Sequence, residues 1–301
     1  MKPIAVDLQQ KIDQVKEDKA VINPTPISPI EGNKDNTPSP YVLEVKGLTH
    51  VFDKGTDNEY KLFDNFNLTI ERKENSGEII SIMGGSGCGK SCILKMAAGL
   101  MTPQQGEIRI YGKTVSEYGN IPMVFQSYSS YEWMTVLDNV ALPFILKGMK
   151  KKQAREKAKD VIKLVGLEEQ ENKYAKSSVL SGGQLQRVSI ARCIASGSKI
   201  FFLDESTGAL DIKMKREVQN LILQLRDDVN LKPTIINVTH SIEEALYISD
   251  KIIVLRPNPC TIHKTMDIDY NGRPRENWVF ETEKYNQYSK ELSSTLYEVS
   301  K

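Results

Sequence analysis

The sequence predicts an α/β fold: a core with a parallel sheet and a phosphate-binding loop, an N-terminal antiparallel β-subdomain, and an inserted helical subdomain. Three observations predict it. An apolar run, Glu78 to Met83, leads into the glycine-rich string GGSGCGKS at 84–91, which opens into a stretch with helical spacing. From Lys199 to Leu255, strand-like apolar runs alternate with helix-like runs, the pattern of a parallel sheet. Between these halves lies a charged, helix-favouring block from about Thr135 to Ser196.

The elements follow in order. Residues 1–40 hold six of the thirteen prolines, mixed with Asn, Asp, Lys and Ser, so a disordered or extended arm is expected there. A short helix at 8–19 would lack an apolar face. From Tyr41 the pattern reads as alternating strand, with Val42, Glu44, Lys46, then Leu48, His50 and Phe52 at every second position; turn-rich DKGTDN follows, and Phe66 to Ile70 read as strand again. After the loop, Ile93, Leu94 and Ala97 share a helical face. Short strands are expected at Glu107–Tyr111 and Pro122–Phe125. In the helical block, placed at about 127–196, Ala154, Ala158, Val161, Ile162 and Val165 fall on one face. Strand Lys199–Asp204, helix Lys213–Leu225, strand Thr234–Val238, a helix from Ser241 and strand Lys251–Leu255 complete the core. A C-terminal extension covers about 257–301 and includes a helical stretch, Glu283–Leu296.

Composition narrows the function. With 301 residues and 40% hydrophobic content the chain can bury a sizeable core. A formal net charge of +1 gives no bulk field for nucleic acid or an anionic membrane, so no nucleic-acid partner is expected. The lysines at 147 and 150–152 abut Glu156, Asp160, Glu168 and Glu169 and read as a solvated helix face. No apolar run approaches the ~20 residues that span a bilayer. Asp7, Lys11, Asp13 and Lys16 stand where a signal peptide needs an apolar segment, so a cytosolic protein is expected. The four cysteines are expected to be reduced, and with three histidines and no Cys-x-x-Cys no zinc site is expected.

The loop carries the first chemistry. Gly84, Gly85, Gly87 and Gly89 are expected to take positive φ and turn backbone N–H groups inward, an anion nest at a helix N-terminus. The whole run, with Ser86, Cys88 and the following Cys92, is assigned to nucleotide. Lys90 is placed to reach the β- and γ-phosphates, and the Ser91 hydroxyl to ligate Mg²⁺.

Further strings complete a constellation: Val124-Phe-Gln126, LSGGQ at Leu180–Gln184, IFFLDE at Ile200–Glu205, Gly208-Ala-Leu-Asp211 and Val238-Thr-His240. In these motifs and in their order the chain resembles the ATP-binding subunit of ABC transporters, from about Tyr41 to the C-terminus. The resemblance implies the ABC ATPase fold, ATP and Mg²⁺ as ligands, and two subunits packed head to tail. Each ATP then lies between one loop and the other subunit's Ser181, Gly182, Gly183 and Gln184. Asp204, at a strand end, can hold Mg²⁺. Glu205 is placed to deprotonate the attacking water. Gln126 can sense metal and water at the junction with the helical block. His240 precedes a Ser241-x-x-Glu244 capping box and is placed near the γ-phosphate. Phe52 matches the aromatic that stacks on adenine, with Tyr60 a rival.

Within the family, Trp133 before Met134-Thr-Val-Leu-Asp-Asn-Val140, the TGALD string and Thr239 to Asp250 resemble nitrate/sulfonate/taurine-type importer ATPases. That implies a separate integral-membrane permease, a second ATPase subunit, a solute-binding protein acting through the permease, and a peripheral place on the cytoplasmic face of the membrane. The C-terminal stretch is too short for the regulatory β-domain of sugar importers. Ala141-Leu-Pro-Phe and Ser206-Thr-Gly are similar instead to lipoprotein-release and macrolide-exporter ATPases, so an exporter is the alternative and a soluble non-transport ATPase a third reading. Gly85, Cys92 and Ser206 depart from the usual proline, threonine and proline, and none of the three removes a phosphate or metal ligand.

Overall fold

The computed structural model describes residues 39–73, 76–119, 121–228, 230–270, 272 and 275–300. The expected N-terminal arm and its short helix lie outside the described residues, apart from Ser39 and Pro40. Ten strands form two sheets among the described residues. β1 (Tyr41–Phe52), β2 (Tyr60–Glu71), β4 (Gln105–Ile110) and β5 (Lys113–Thr114) make an antiparallel sheet in the order β2-β1-β4-β5. β3 (Glu78–Gly84), β6 (Met123–Val124), β7 (Ile200–Asp204), β8 (Thr234–Val238), β9 (Lys251–Arg256) and β10 (Thr261–Asp267) make the second, in the order β10-β9-β3-β8-β7-β6. All its pairings are parallel except that of β10 with β9.

The sequence alternation in β1 does not hold throughout. Leu43 and Val45 are buried, then Leu48 and His50, because the register shifts between Val45 and Leu48 around Gly47 (φ 60°). One extra residue moves every later side chain to the other face. The parallel strands read as continuous apolar runs because both faces are covered. Ile80, Ile82, Phe202, Ile236 and Val238 point into a core shared with the antiparallel sheet. Ile79, Phe201, Leu203 and Ile235 point to the other side.

The helices are α1 (Lys90–Ala97), α2 (Val115–Tyr118), α3 (Val136–Leu146), α4 (Lys151–Leu164), α5 (Gly182–Ala195), α6 (Ile212–Asp227), α7 (Ile242–Ile248) and α8 (Glu283–Val299). α1 packs into the first core, and α3 to α6 into the second. On α4, Ala154, Ala158 and Ile162 are buried at four-residue spacing while Val161 is only half-buried. Thr135 caps α3, accepting from the Asp138 N–H at 3.1 Å, and Arg155 grips the Asp138 carboxylate with two bonds of 2.9 Å. A third core, with Ile252, Val254, Met266, Tyr270 and Leu292, lies under α8. Among the described residues no helix is long and apolar enough to cross a membrane.

Candidate nucleotide site

β3, β6, β7 and β8 run parallel, so their C-terminal ends lie on one edge of the sheet, the usual place for a ligand in such folds. β3 ends at Gly84, and the loop turns into α1 behind Gly89, which has no side-chain cap. Gly84, Gly87 and Gly89 hold φ of 152°, 78° and 84°. Gly85 does not: the turn needs only three such residues, and the expectation for the fourth is corrected. A β-carbon on Gly85 would meet open space, whereas one on Gly89 would stand 2.5 Å from the Phe63 ring and one on Gly84 2.6 Å from the Leu255 carbonyl. Lys90 Nζ donates to the carbonyls of Gly84 (3.0 Å) and Gly85 (2.8 Å). The Cys88 thiol donates to the Gly85 carbonyl at 2.7 Å. All four cysteines are free thiols; burial raises Cys88 and Cys92 above the ordinary thiol range and pushes Cys260 up to about 12.

The Ser91 hydroxyl, in the first turn of α1, donates to Asp204 Oδ1 at 2.8 Å. Desolvation raises the Asp204 pKa, opposed by this bond and by Lys95. Ser91 and Asp204 thus present hard oxygens side by side. Among the described residues no group of three or more His, Cys, Asp or Glu could hold a metal by itself. Two oxygen ligands fit a Mg²⁺ whose remaining ligands are substrate phosphates and water.

Glu205 follows β7 with φ 49°, a left-handed conformation that costs a non-glycine residue about 1–2 kcal/mol. Its N–H donates to the Val238 carbonyl (2.9 Å), and its carbonyl accepts from the Gly208 N–H (3.0 Å). Its Oε2 lies 3.5 Å from Nδ1 of the largely exposed His240. Gln126, just past β6, has its Nε2 3.7 Å from the point a β-carbon would occupy on Gly208. The expected capping box at Ser241 forms only in part. Ser241 accepts from the Glu244 N–H (3.2 Å), but the Glu244 carboxylate turns away to Thr207 (2.6 Å) and Thr239 (2.7 Å). Two buried hydroxyls outcompete one backbone N–H, which goes to Thr239 Oγ1 instead (3.1 Å). Sequence reasoning missed Thr207 and Thr239; no local pattern joins them.

Phe52, at the end of β1, is 36% exposed and pairs in register with Tyr60. The Tyr60 hydroxyl donates to the Gly87 carbonyl at 3.3 Å, so the rival aromatic is engaged with the loop, while the Phe52 ring meets His50 edge to face at 4.8 Å.

The LSGGQ string forms the start of α5. Ser181 and Gln184 make a full capping box: Ser181 Oγ accepts from the Gln184 N–H (3.3 Å) and Gln184 Oε1 from the Ser181 N–H (3.0 Å). The Gly183 N–H donates to Met214 Sδ at 3.4 Å, and a β-carbon on Gly182 would collide with the Tyr128 hydroxyl. Among the described residues no hydrogen bond joins Ser181–Gln184 to the phosphate loop. The chain on either side of Gln126 runs along α5 instead: Gln186 donates to the Phe125 carbonyl (3.4 Å), Arg192 to the Ser129 carbonyl, and the Arg192 guanidinium lies 4.4 Å from the Tyr131 ring centre.

The family model for ABC transporters matches residues 63–208. An uncharacterised ABC transporter ATP-binding protein of Methanocaldococcus jannaschii is 39% identical, over 84% of this chain and 91% of its own length. A taurine import ATP-binding protein of Ruegeria pomeroyi is 33% identical, over 85% and 94%. A spermidine/putrescine import ATP-binding protein of Mannheimia succiniciproducens is 37% identical, over 78% of this chain but 58% of its own length. Among solved structures, a bacterial ABC transporter cassette in dimeric form superposes with a TM-score of 0.63 at 30% identity, covering 75% of this chain and 99% of that one. The same cassette in a dimeric post-hydrolysis state with ADP and Pi gives 0.63 at 31% identity, with the same coverage.

Proposed function

We propose, from the premise that this chain belongs to the ABC transporter family, that it is the ATP-hydrolysing subunit of an importer and works on a separate permease. The observation that carries the reading is the pair of couples at one sheet edge: Ser91 on Asp204 at 2.8 Å and Glu205 beside His240 at 3.5 Å. The loop N–H groups and Lys90 hold the triphosphate. Mg²⁺, held by Ser91 and Asp204 with Gln126 nearby, would supply charge neutralisation on the β- and γ-phosphates. Glu205 takes the proton from the attacking water as its oxygen bonds to the γ-phosphorus and the β–γ bridge leaves with ADP. His240 braces Glu205 and the γ-phosphate edge. Phe52 stacks on adenine.

A second copy, packed head to tail, supplies Ser181, Gly182, Gly183 and Gln184 to the γ-phosphate, so ATP joins the pair and hydrolysis releases it. The permease docks near 126–140, where Trp133 is 66% exposed beside the segment bound to α5. The subunit sits at the cytoplasmic face, and a solute-binding protein delivers cargo through the permease. Similar proteins named for a cargo include importers of spermidine and putrescine, taurine, and sulfate and thiosulfate, and a transporter of bicarbonate. The nitrate/sulfonate/taurine-like class is favoured by the Trp133–Val140 segment and by the match along 94% of the taurine protein.

The test uses tagged Glu205→Gln in the native host, with ATP and Mg²⁺, gentle solubilisation and identification of co-purifying proteins. The expected result is a stable ATP-bound dimer carrying a multi-span permease and a solute-binding protein. Ribosomes or nucleic acid without a membrane protein discard the transport reading, and undiminished turnover discards Glu205 as the base.

A further inference from the structure

Glu244, in the first turn of α7, is buried, and its two carboxylate oxygens are divided between two distant parts of the chain. Oε1 accepts from the Thr207 hydroxyl at 2.6 Å and Oε2 from the Thr239 hydroxyl at 2.7 Å; both threonines are themselves buried. Thr207 belongs to the turn after Glu205 that closes with the Gly208 N–H on the Glu205 carbonyl. Thr239 immediately precedes His240. Each oxygen therefore holds one of the two backbone segments that present Glu205 and His240 to each other. A buried acid is costly where an apolar side chain would pack. This one also forgoes the reciprocal bond of a capping box, the local use its position offers.

We propose that Glu244 is a positioning residue for hydrolysis: it fastens the turn after Glu205 to the segment before His240 and so sets the 3.5 Å approach of their side chains. Glu244 acts only through these backbone segments, with no contact to nucleotide required. The inference rests on the ATPase reading above. Misplacement of a reacting group by about 1 Å can cost on the order of a hundredfold in rate, so a staple this close is expected to register in turnover rather than in affinity.

The test is steady-state ATP hydrolysis and equilibrium binding of a fluorescent ATP analogue by the full chain and its variants. Glu244→Ala is expected to lower kcat about tenfold or more while the nucleotide Kd stays within about twofold. Glu244→Gln, whose amide accepts from one threonine and donates to the other, is expected to restore most of it. In a His240→Ala background, Glu244→Ala is expected to cost less than about twofold more, since its effect runs through that histidine's placement. An unaltered kcat in Glu244→Ala, a joint loss of affinity and rate, or full multiplication of the two losses overturns the proposal. Should Glu244→Ala not fold, Thr207→Val and Thr239→Val carry the same test: lower kcat at unchanged affinity supports the staple, and wild-type kcat in both overturns it. The wild-type chain is assayed alongside. If it hydrolyses no ATP, the ATPase reading and this inference fall together; if it is active and the Glu244 variants are silent, only this inference falls.

Discussion

Two helices of this chain begin in glycine-rich strings, and their N-termini are finished in opposite ways. α1 starts behind Gly89 with no side chain capping its first turn. Its approach is shaped from behind, by Phe63 and the Leu255 carbonyl pressed against Gly89 and Gly84, and from across by Lys90 on two loop carbonyls. α5 starts behind Ser181 with both halves of a capping box in place, and the Gly183 N–H rests on Met214 sulfur. The first end leaves its orphan donors for an anion and lets packing hold the shape. The second satisfies its donors within the chain, through side-chain bonds that rotamer changes can release. One chain alone therefore offers a loop with free donors and a signature end whose donors are already bonded; in the head-to-tail pair proposed above, a partner's nucleotide must open the second.

The largest effect that could break this contrast sits at Gly89. Gly89→Ala places a β-carbon 2.5 Å from Phe63, a fully buried ring, on a backbone at φ 84°. ATP affinity is expected to fall by about a hundredfold or more, because both the left-handed penalty and the overlap deform the nest. Gly85→Ala, at ordinary φ and facing open space, is expected to stay within about 0.5 kcal/mol in stability. Equilibrium nucleotide binding by both variants decides it. Equal affinities would mean that packing behind the loop does not set its shape.

What was legible in the sequence follows the range of each interaction. The loop and the signature are backbone devices compressed into a few residues, so local strings carried them; the Ser181–Gln184 box spans only three residues yet went unread, because the string was assigned to a partner's phosphate. Glu244 was misassigned because its partner Thr207 stands 37 residues away, and a local box was the nearest use for its carboxylate. The parity of β1 was misread past Gly47 because a register shift leaves no mark in composition. β10 passed unnoticed because only Met266 in it is buried, so an exposed edge strand has almost no apolar alternation to read. Gly85 sat in a motif whose other glycines need left-handed backbone, and the motif cannot say which of them does.

A middle-sized effect sharpens the other side of the comparison. Ser181→Ala removes the cap that holds the signature end of α5, costing about 1 kcal/mol of stability. Nucleotide affinity of the single chain is expected to stay unchanged, since no bond joins Ser181 to the loop. ATP-dependent pairing of the Glu205→Gln chain is expected to weaken by roughly tenfold, about 1.4 kcal/mol, read by sedimentation over a concentration series. A loss of single-chain affinity instead would show that the two ends are not independent.

The smallest effect tests whether the internal bonds of the signature end compete with a partner's phosphate. Met214→Leu keeps nearly the same volume against Gly183, so stability is expected to shift by less than about 1.5 kcal/mol. The substitution deletes the sulfur that accepts the Gly183 N–H, a weak acceptor whose loss frees a donor at a helix end. Freed, that N–H costs less to redirect, and pairing of the Glu205→Gln chain with ATP is expected to tighten by roughly twofold to fivefold, under about 1 kcal/mol. Weaker pairing would instead make Met214 a support that sets the angle of the Gly183 peptide, and the closed end of α5 would then be a preformed site like that of α1.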